Sequence, residues 1–243
     1  MQYAVTQKKL GMVLTGDCGV GKTFVSKVLM NLFFDGQCKF VYIANTLLTP
    51  VEFLQELNFQ LEGTAVLGSN ATKPEILRSI RDRLDFYQKQ NLYVVMIVDD
   101  AQSIPDENLV EEIRLLLNLH ENDIMMFTLI LSGQKSLTEK IEKNPALRQR
   151  LSIRYELGPL DISETIQYIE HRLEVTGIRK KIFTLAAYNA IHALSGGKPR
   201  VINNICDFAL LSGYMRKINI LDEEIIKHVA IELGETDDSH LAQ

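Results

Sequence analysis

The sequence has no tryptophan, only three cysteines and no excess of basic residues. Cys18, Cys38 and Cys206 are far apart and lack the spacing of a metal site, so we expect reduced, buried thiols instead of a disulfide framework. The net charge of −5 gives no general positive field. Any binding of nucleic acid therefore needs a local basic patch.

Long hydrophobic runs are also missing. No apolar stretch approaches the roughly 20 residues that span a bilayer, and the N-terminus MQYAVTQKKLG lacks the apolar core and cleavage site of a secretory signal. A chain of 243 residues with 46% hydrophobic and 23% charged residues has an ordinary globular composition. We expect a soluble, intracellular protein with one large domain or two modest ones.

Short apolar runs alternate with amphipathic stretches up to residue 158. Such runs are typical of strands buried on both faces of a parallel sheet, and the stretches between them have helical periodicity. The predicted strands are LGMVLT (10–15), KFVYIA (39–44), LYVVMIVD (92–99), MMFTLILS (125–132) and IRYELG (153–158). The alternation predicts an α/β fold with a parallel sheet.

Beyond residue 158 only helical patterns follow. Asp161 and Glu164 have the spacing of a capping box, and Gly177 closes the amphipathic stretch that they open. We therefore divide the chain into an α/β core over residues 1–158, a smaller all-helical lobe over 159–235 and a polar tail over 236–243.

The first glycine cluster lies between the first predicted strand and a helical stretch. Gly16, Gly21, Lys22 and Thr23 fit the phosphate-binding loop GxxxxGK[ST]. Backbone N–H groups of such a loop surround phosphate oxygens, and glycine allows their close approach. The predicted nucleotide-binding residues are Gly16, Asp17, Cys18, Gly19, Val20, Gly21, Lys22, Thr23 and Phe24. The alternative is a glycine-rich turn that only caps a helix.

A second motif supplies acids for the same site. The hydrophobic run VVMIVDDAQ ends in Asp99 and Asp100. In phosphate-loop enzymes an acid at such a strand end binds the Mg²⁺ of the nucleotide together with the loop threonine, and the loop lysine reaches the β- and γ-phosphates. We therefore expect ATP and Mg²⁺ as ligands, with Thr23 and Asp99 on the metal and Asp100 as general base. The alternative is that the two acids only cap a turn.

Several segments together resemble the ExeA/GspA/MshM-type AAA+ ATPases, which are associated with bacterial general secretion and surface pilus biogenesis. They are GDCGVGKT, VVMIVDDAQ, EEIRLLLNL, LILSGQKSL, NPALRQRLSIRYELGPL and SGGKPRVINNICDFALL. The resemblance extends from about residue 10 to about residue 233. It implies a P-loop NTPase core with a helical lid, and an oligomeric ATP hydrolase, in a ring or a filament, that drives or gates assembly of an envelope machine.

The resemblance also assigns roles within the core. It places Lys22 and Thr23 in Walker A and makes Asp99 the Walker B metal acid. Gln134, in LSGQ, matches the sensor 1 residue that holds the attacking water or contacts the γ-phosphate. A helix-capping glutamine is the alternative.

Two arginines acquire roles in the same way. Arg150, after the predicted helix EKIEKNPAL, matches the finger that projects to a neighbouring subunit's nucleotide, with Arg148 as second choice. A solvated helix residue is the alternative for both. Arg200 matches the sensor 2 residue of the lid, although residues 196–199 also read as a simple stop and restart of helices.

The chain departs from the family in two respects. Asp100 stands where AAA+ proteins usually carry Glu, so slow hydrolysis or a non-hydrolysing nucleotide switch stays open. Only MQYAVTQKK precedes the first strand, and the sequence contains no membrane-spanning or cell-wall-binding extension of the kind found in larger members. The short N-terminus leaves open a truncated chain or loose recognition of the adenine base. We expect a cytoplasmic protein that reaches the inner membrane, if at all, through a secretion or pilus component.

A transposition regulator is the second functional hypothesis. Related AAA+ proteins form ATP-dependent filaments on DNA and recruit a transposase. The segments RKKIF and YMRK in the helical lobe offer small basic clusters for such contacts. A solvated helix face explains them equally well.

Overall fold

A computed structural model describes residues 1–33, 36–62, 71–105, 107–121 and 124–234. The polar tail predicted over 236–243 lies outside the described residues. Among those that are described, no helix combines the length and the apolar character needed to cross a bilayer.

Of the described strands, five closely follow the sequence prediction and two short ones were not predicted. They are β1 (Gly11–Gly16), β2 (Cys38–Ile43), β3 (Tyr93–Val98), β4 (His120–Glu121), β5 (Ile124–Met125), β6 (Phe127–Gly133) and β7 (Ile153–Leu157). β4 and β5 form a small antiparallel pair, and the other strands form one parallel sheet in the order β2-β3-β6-β1-β7. The prediction of a parallel α/β sheet is confirmed, and no end of a predicted strand differs by more than two residues.

Along the chain, the described helices lie before, between and after these strands. They are α1 (Gln2–Thr6), α2 (Lys22–Leu32), α3 (Pro50–Glu62), α4 (Lys73–Lys89), α5 (Glu107–Leu116), α6 (Ser136–Glu142), α7 (Pro145–Arg150), α8 (Ile162–Val175), α9 (Leu185–Ser195), α10 (Pro199–Arg216) and α11 (Glu223–Glu232). The prediction of a single helix over EKIEKNPAL is wrong, because this segment is divided between α6 and α7. The Asn144 side chain accepts a hydrogen bond from the backbone N of Leu147 at 3.0 Å and starts a new helix, with Pro145 in its first turn.

The central strand β3 is buried on both faces. Val94, Met96 and Val98 pack in one apolar cluster with side chains of α3, α4 and α5, whereas Val95 and Ile97 pack in another with side chains of α1 and α2. This double burial explains why the strand is continuously hydrophobic. Because both faces of β3 are covered, its first polar side chains in this direction follow Val98, at the carboxyl edge of the sheet.

The chain forms two compact units. One consists of Met1–Gly16 and Lys22–Leu157, and the other of Asp17–Gly21 together with the described residues from Gly158 onward. The helical unit has its own buried core, in which Ile191 and Ile205 are fully buried. The segment Asp17–Gly21 lies between β1 and α2 in the sequence but groups with the helical unit, which the sequence did not predict.

The first helix of the helical unit begins as predicted. Asp161 Oδ1 accepts from the backbone N of Glu164 at 2.8 Å, and Glu164 Oε2 accepts from the backbone N of Asp161 at 2.9 Å. These reciprocal bonds confirm the capping box and fix where α8 starts.

The three cysteines are free, but the expectation that all are buried is wrong. Cys18 is exposed because it stands in the loop after β1, and Cys38 is half-buried at the start of an edge strand. Only Cys206 is buried, and its burial raises the pKa of its thiol to about 12. Cys206 is therefore a protonated core residue.

Candidate nucleotide-binding site

The loop between β1 and α2 turns on two glycines with positive φ. Gly19 has a φ of 83° and Gly21 a φ of 104°, values that residues with a side chain rarely adopt. Lys22, the first residue of α2, is buried, and its Nζ donates to the carbonyl oxygen of Gly16 at 3.0 Å. The lysine ammonium is therefore held at the loop and not in bulk solvent.

Three side chains meet at the carboxyl end of β3. Asp99 follows β3 directly and is 3% exposed. Its Oδ2 accepts a hydrogen bond from Thr23 Oγ1 at 2.6 Å and another from Tyr42 Oη, also at 2.6 Å. The register places Tyr42 opposite Ile97, two residues before Asp99. The helix after the glycine loop is thereby bonded to the acid at the strand end.

Asp99 remains a carboxylate in spite of its burial. Burial alone would raise the pKa of this carboxyl, but the hydrogen bonds from Thr23 and Tyr42 lower it below its ordinary value. Burial and the bond to Asp99 raise the pKa of Tyr42, so the phenol keeps the proton that it donates. At neutral pH the site therefore presents a negative charge to a cation.

Asp100 differs from Asp99 in exposure and in backbone conformation. Its φ of 50° lies in the left-handed region, which Asp tolerates better than most residues. Its backbone N donates to Asp99 Oδ1 at 3.1 Å, and its carbonyl accepts from Thr46 Oγ1 at 3.2 Å. These bonds hold the turn, and they leave the Asp100 carboxylate exposed at the edge of the sheet.

Gln102 connects this turn to the end of β6. Its Nε2 donates to Asp100 Oδ1 at 3.3 Å, and its Oε1 accepts from the backbone N of Gln134 at 2.9 Å. A Cβ at Gly133 would lie 2.6 Å from Gln102 Oε1, so a side chain at this position would displace the Gln102 amide. Lys140 of α6 donates to the carbonyl oxygens of Gln102 and Ile104 at 2.7 and 2.5 Å. Asp100 and Gln134 therefore lie within one hydrogen-bonded network.

Arg150 lies at the opposite edge of the sheet from Lys22. Its carbonyl lies against Gly11, the first residue of β1, whereas Lys22 follows the last residue of that strand. Its guanidinium donates to the carbonyl of Ala146 and to Asn118 Oδ1. A strand of this length spans roughly 17 Å. Arg150 therefore lies far from Lys22 of its own chain.

Arg148 has a different environment on the same helix. Its Nη1 lies 3.0 Å from Glu142 Oε2 in an ion pair that is exposed on both sides. The charge of Arg148 is therefore paired directly within its own chain, whereas the two hydrogen bonds described for Arg150 go to uncharged oxygens and its charge acts on the Glu111 carboxyl without a direct ion pair being described.

Arg200 contacts the loop residues that group with the helical unit. Its backbone N donates to the carbonyl of Gly19 at 3.2 Å, and its Nη1 lies 3.5 Å from Cys18 Sγ. Gly197 has a φ of 69°, and a Cβ there would lie 2.0 Å from the carbonyl oxygen of Leu160. Glycine at position 197 therefore has a packing role besides ending α9. It lets the backbone that leads into α10 pass close to Leu160.

Comparison with known proteins identifies the family. The model of the AAA domain family matches residues 5–141, which is more than half of the chain and includes the loop, Asp99 and Gln134. The chain belongs to the AAA domain family.

A curated relative extends the similarity beyond that match. The general secretion pathway protein A of Aeromonas hydrophila is 35% identical over 210 residues, which cover 84% of this chain. The same match covers 37% of the relative, so the chain spans well under half of that protein's length.

Solved structures show the same fold at low sequence identity. Cdc6p from Pyrobaculum aerophilum has a TM-score of 0.76 at 17% identity and covers 95% of this chain and 65% of its own. The ORC2 protein of Aeropyrum pernix has a TM-score of 0.71 at 16% identity, and the match covers 95% of this chain and 66% of the ORC2 chain. The RuvB branch migration motor of Thermotoga maritima has a TM-score of 0.64 at 16% identity, and the match covers 98% of this chain and 68% of the RuvB chain. The likeness confirms a P-loop NTPase fold.

The predicted site of this AAA domain protein falls into groups. Lys22, Thr23 and Asp99 lie together, and Gln134 is joined to Asp100 through Gln102. Among the remaining predicted loop residues, Val20 is buried and Phe24 is 67% exposed. The roles of all these residues stay predictions.

Sequence reasoning missed Tyr42 and Gln102. Gln102 stands in the quoted motif VVMIVDDAQ, so its closeness to the acids was visible, but its bond to Gln134 was not. Tyr42 stands in the predicted strand KFVYIA. Only its position near the carboxyl end of a strand pointed towards the site.

Proposed function

We propose that this AAA domain protein is an ATPase that binds Mg·ATP at the loop between β1 and α2. The observation that carries the proposal is the 2.6 Å hydrogen bond from Thr23 Oγ1 to Asp99 Oδ2. The two residues are 76 positions apart in the sequence. A Mg·nucleotide site of the phosphate-loop type needs this pairing of a loop hydroxyl with a strand-end acid.

The side chains fit Mg²⁺. Hydroxyl and carboxylate oxygens are the hard donors that this ion prefers, and it is commonly held by one or two protein oxygens together with substrate phosphates. Thr23 and Asp99 would hold the ion, which when bound would neutralise charge on the phosphate oxygens. Lys22 would donate to the β- and γ-phosphates from the position where it now meets the Gly16 carbonyl.

Asp100 is the proposed general base. The Asp100 carboxylate is exposed, so water can reach it, whereas the Asp99 carboxylate is buried and is reserved for the cation. Gln102 orients Asp100 and holds the backbone of Gln134. The Gln134 amide would then orient the attacking water or contact the γ-phosphate.

Two arginines complete the proposed mechanism. Because Arg150 is one strand length away from Lys22 of its own chain, we propose that it serves the nucleotide of a neighbouring copy in a ring or a filament. Arg200 is proposed as the sensor of the helical unit, since it already contacts Gly19 and Cys18 of the loop.

The proposed cellular role is to drive or gate assembly of an envelope machine of the secretion or pilus type. The support is the 35% identity to the general secretion pathway protein A, of which the match covers 37%. This role places the protein in the cytoplasm, with secretion or pilus components as its contact to the inner membrane.

A Lys22→Ala variant tests nucleotide binding. Losing a charged hydrogen-bond donor to phosphate costs about 1.5–3 kcal/mol, or roughly 10- to 100-fold in affinity. We expect ADP and ATP affinity, measured by calorimetry, to fall by that factor. Lys27→Ala is the matched control, because Lys27 is exposed on the same helix. Equal affinities of the Lys22→Ala variant and the parent would contradict the phosphate-loop assignment.

One structural observation favours the second hypothesis, an ATP-dependent regulator on DNA. The two basic clusters of the helical unit are far apart in sequence, but Phe183 forms a parallel bridge with Leu221, and this bridge joins the segments that follow the two clusters. The five basic residues at 179–181 and 216–217 are all exposed. Under this hypothesis they form the local basic patch that an acidic protein needs to contact phosphates.

Salt dependence of DNA binding tests this hypothesis. If Lys180 and Lys181 contact phosphates, replacing both with Gln should reduce the slope of log affinity against log salt by about 2, since each contact contributes about 0.9. The measurement is fluorescence anisotropy of labelled duplex DNA with ATP at several salt concentrations. A Lys27→Gln/Lys89→Gln variant, changed at two exposed lysines of α2 and α4, is the matched control. Absence of parent binding, or equal slopes, would remove the DNA hypothesis.

A further inference from the structure

We infer that Tyr42 is a positioning residue of the Mg²⁺ site, which holds Asp99 in the orientation where it meets Thr23. This inference rests on the proposed function and adds to it a residue that belongs neither to the phosphate-loop pattern nor to the pair of acids after β3. Its basis is the geometry around one carboxylate.

Two hydroxyl groups converge on the same oxygen of Asp99. Thr23 Oγ1 and Tyr42 Oη each donate to Oδ2 at 2.6 Å, and the backbone N of Asp100 donates to Oδ1 at 3.1 Å. Because both carboxylate oxygens are bonded, the Asp99 carboxylate cannot rotate freely. The Thr23 proton is directed at Asp99, so the lone pairs of its oxygen remain for a cation.

The backbone of Tyr42 is itself fixed by α3. β2 is an edge strand, and the Gln60 side chain takes the place of the missing neighbour. Gln60 Oε1 accepts from the backbone N of Tyr42 at 2.8 Å, and its Nε2 donates to the Tyr42 carbonyl at 2.9 Å. Gln60 Nε2 also donates to Glu56 Oε1 at 2.5 Å. Gln60 therefore fixes the Tyr42 backbone on the side of β2 that has no neighbouring strand. A side chain that reaches Asp99 from a fixed backbone is typical of a preorganised site.

The effect of Tyr42 should appear in metal binding more than in nucleotide binding. Removing a residue that supports a metal ligand typically lowers metal affinity by about 10- to 100-fold. A Tyr42→Phe substitution keeps the ring and removes one of the two bonds to Asp99 Oδ2. The carboxylate can then turn away from Thr23, whereas Lys22 and the loop keep their contacts with the phosphates.

Calorimetry with ADP at a series of free Mg²⁺ concentrations, starting in EDTA, separates these two effects. We expect Tyr42→Phe to bind ADP in EDTA with the parent affinity. The Mg²⁺ concentration that gives half of the metal-dependent gain in affinity should rise about 10-fold. Tyr93→Phe is the matched control, because Tyr93 begins the neighbouring strand β3 and its Oη lies 3.1 Å from Thr128 Oγ1, away from Asp99.

The possible outcomes distinguish this inference from the function on which it rests. If the parent protein binds no ADP at any Mg²⁺ concentration, the proposed function fails. If the parent shows a Mg²⁺-dependent gain and Tyr42→Phe behaves identically, only the role of Tyr42 is refuted. A lower Mg²⁺ requirement would mean that the phenol competes with the metal. An equal loss of affinity in EDTA and in Mg²⁺ would mean a general structural role, and either result overturns the inference.

Discussion

An Arg150→Ala variant is expected to bind ATP with near-parent affinity and to hydrolyse it at least about 10³-fold more slowly, the lower end of the range for loss of an arginine finger. The physical reason is distance combined with charge. Arg150 lies at the amino end of β1, away from Lys22, so its guanidinium can neutralise transition-state charge only on a neighbour's nucleotide. Steady-state ATPase rates and calorimetry on the same preparation measure the two quantities.

Mixing experiments test whether Arg150 acts in trans. An Arg150→Ala subunit keeps its phosphate loop, and a Lys22→Ala subunit keeps its finger, so a mixture of the two inactive variants should recover part of the parent activity. Specific activity of the parent should also rise with protein concentration. Arg148→Ala is the matched control, because Arg148 is paired with Glu142 and is expected to be dispensable. Turnover that is independent of concentration, with no recovery on mixing, would make Arg150 a structural residue.

An Asp100→Asn variant is expected to bind Mg·ATP normally and to hydrolyse it about 10²-fold more slowly, the usual loss when a general base is removed. Asn is a suitable replacement because it also tolerates the left-handed backbone found at residue 100, where φ is 50°. Single-turnover hydrolysis with protein in excess over ATP measures the chemical step, and thermal melting checks that the fold is unchanged.

The Asp100→Glu variant complements this measurement. Glu reaches one methylene further but suits a left-handed backbone less well than Asp. Faster hydrolysis in this variant would mean that the reach of Asp100 limits the parent. An Asp100→Asn variant as active as the parent would place the base elsewhere. A parent protein that binds ATP but does not hydrolyse it would support the non-hydrolysing switch instead.

The residues proposed to bind metal and phosphate could be singled out from the sequence because their signals are local. The spacing of Gly16, Gly21, Lys22 and Thr23 is contained in one short loop, and Asp99 ends a strand whose continuous hydrophobicity is unmistakable. Each residue could be placed without knowing which strands are neighbours, because parallel strands of one sheet end at the same edge.

The supporting residues were not predictable in this way. Tyr42 reaches Asp99 only because β2 pairs with β3 in the register that sets Tyr42 opposite Ile97. That register comes from packing over the whole sheet, and the strand sequence alone does not define it. The break between α6 and α7 was missed for the opposite reason, since the local signal of Asn144 and Pro145 was present but was outweighed by helical periodicity.

The bonds from Lys140 to the carbonyl oxygens of Gln102 and Ile104 have a consequence for motion. A short turn on a protein surface normally relaxes in nanoseconds to microseconds, whereas packed helices shift collectively in microseconds to milliseconds. Because Lys140 ties the turn after Asp99 to a helix, we expect that turn to be more restrained than a free surface turn. The spacing between Asp100 and Gln134 should then change mainly when α6 itself moves.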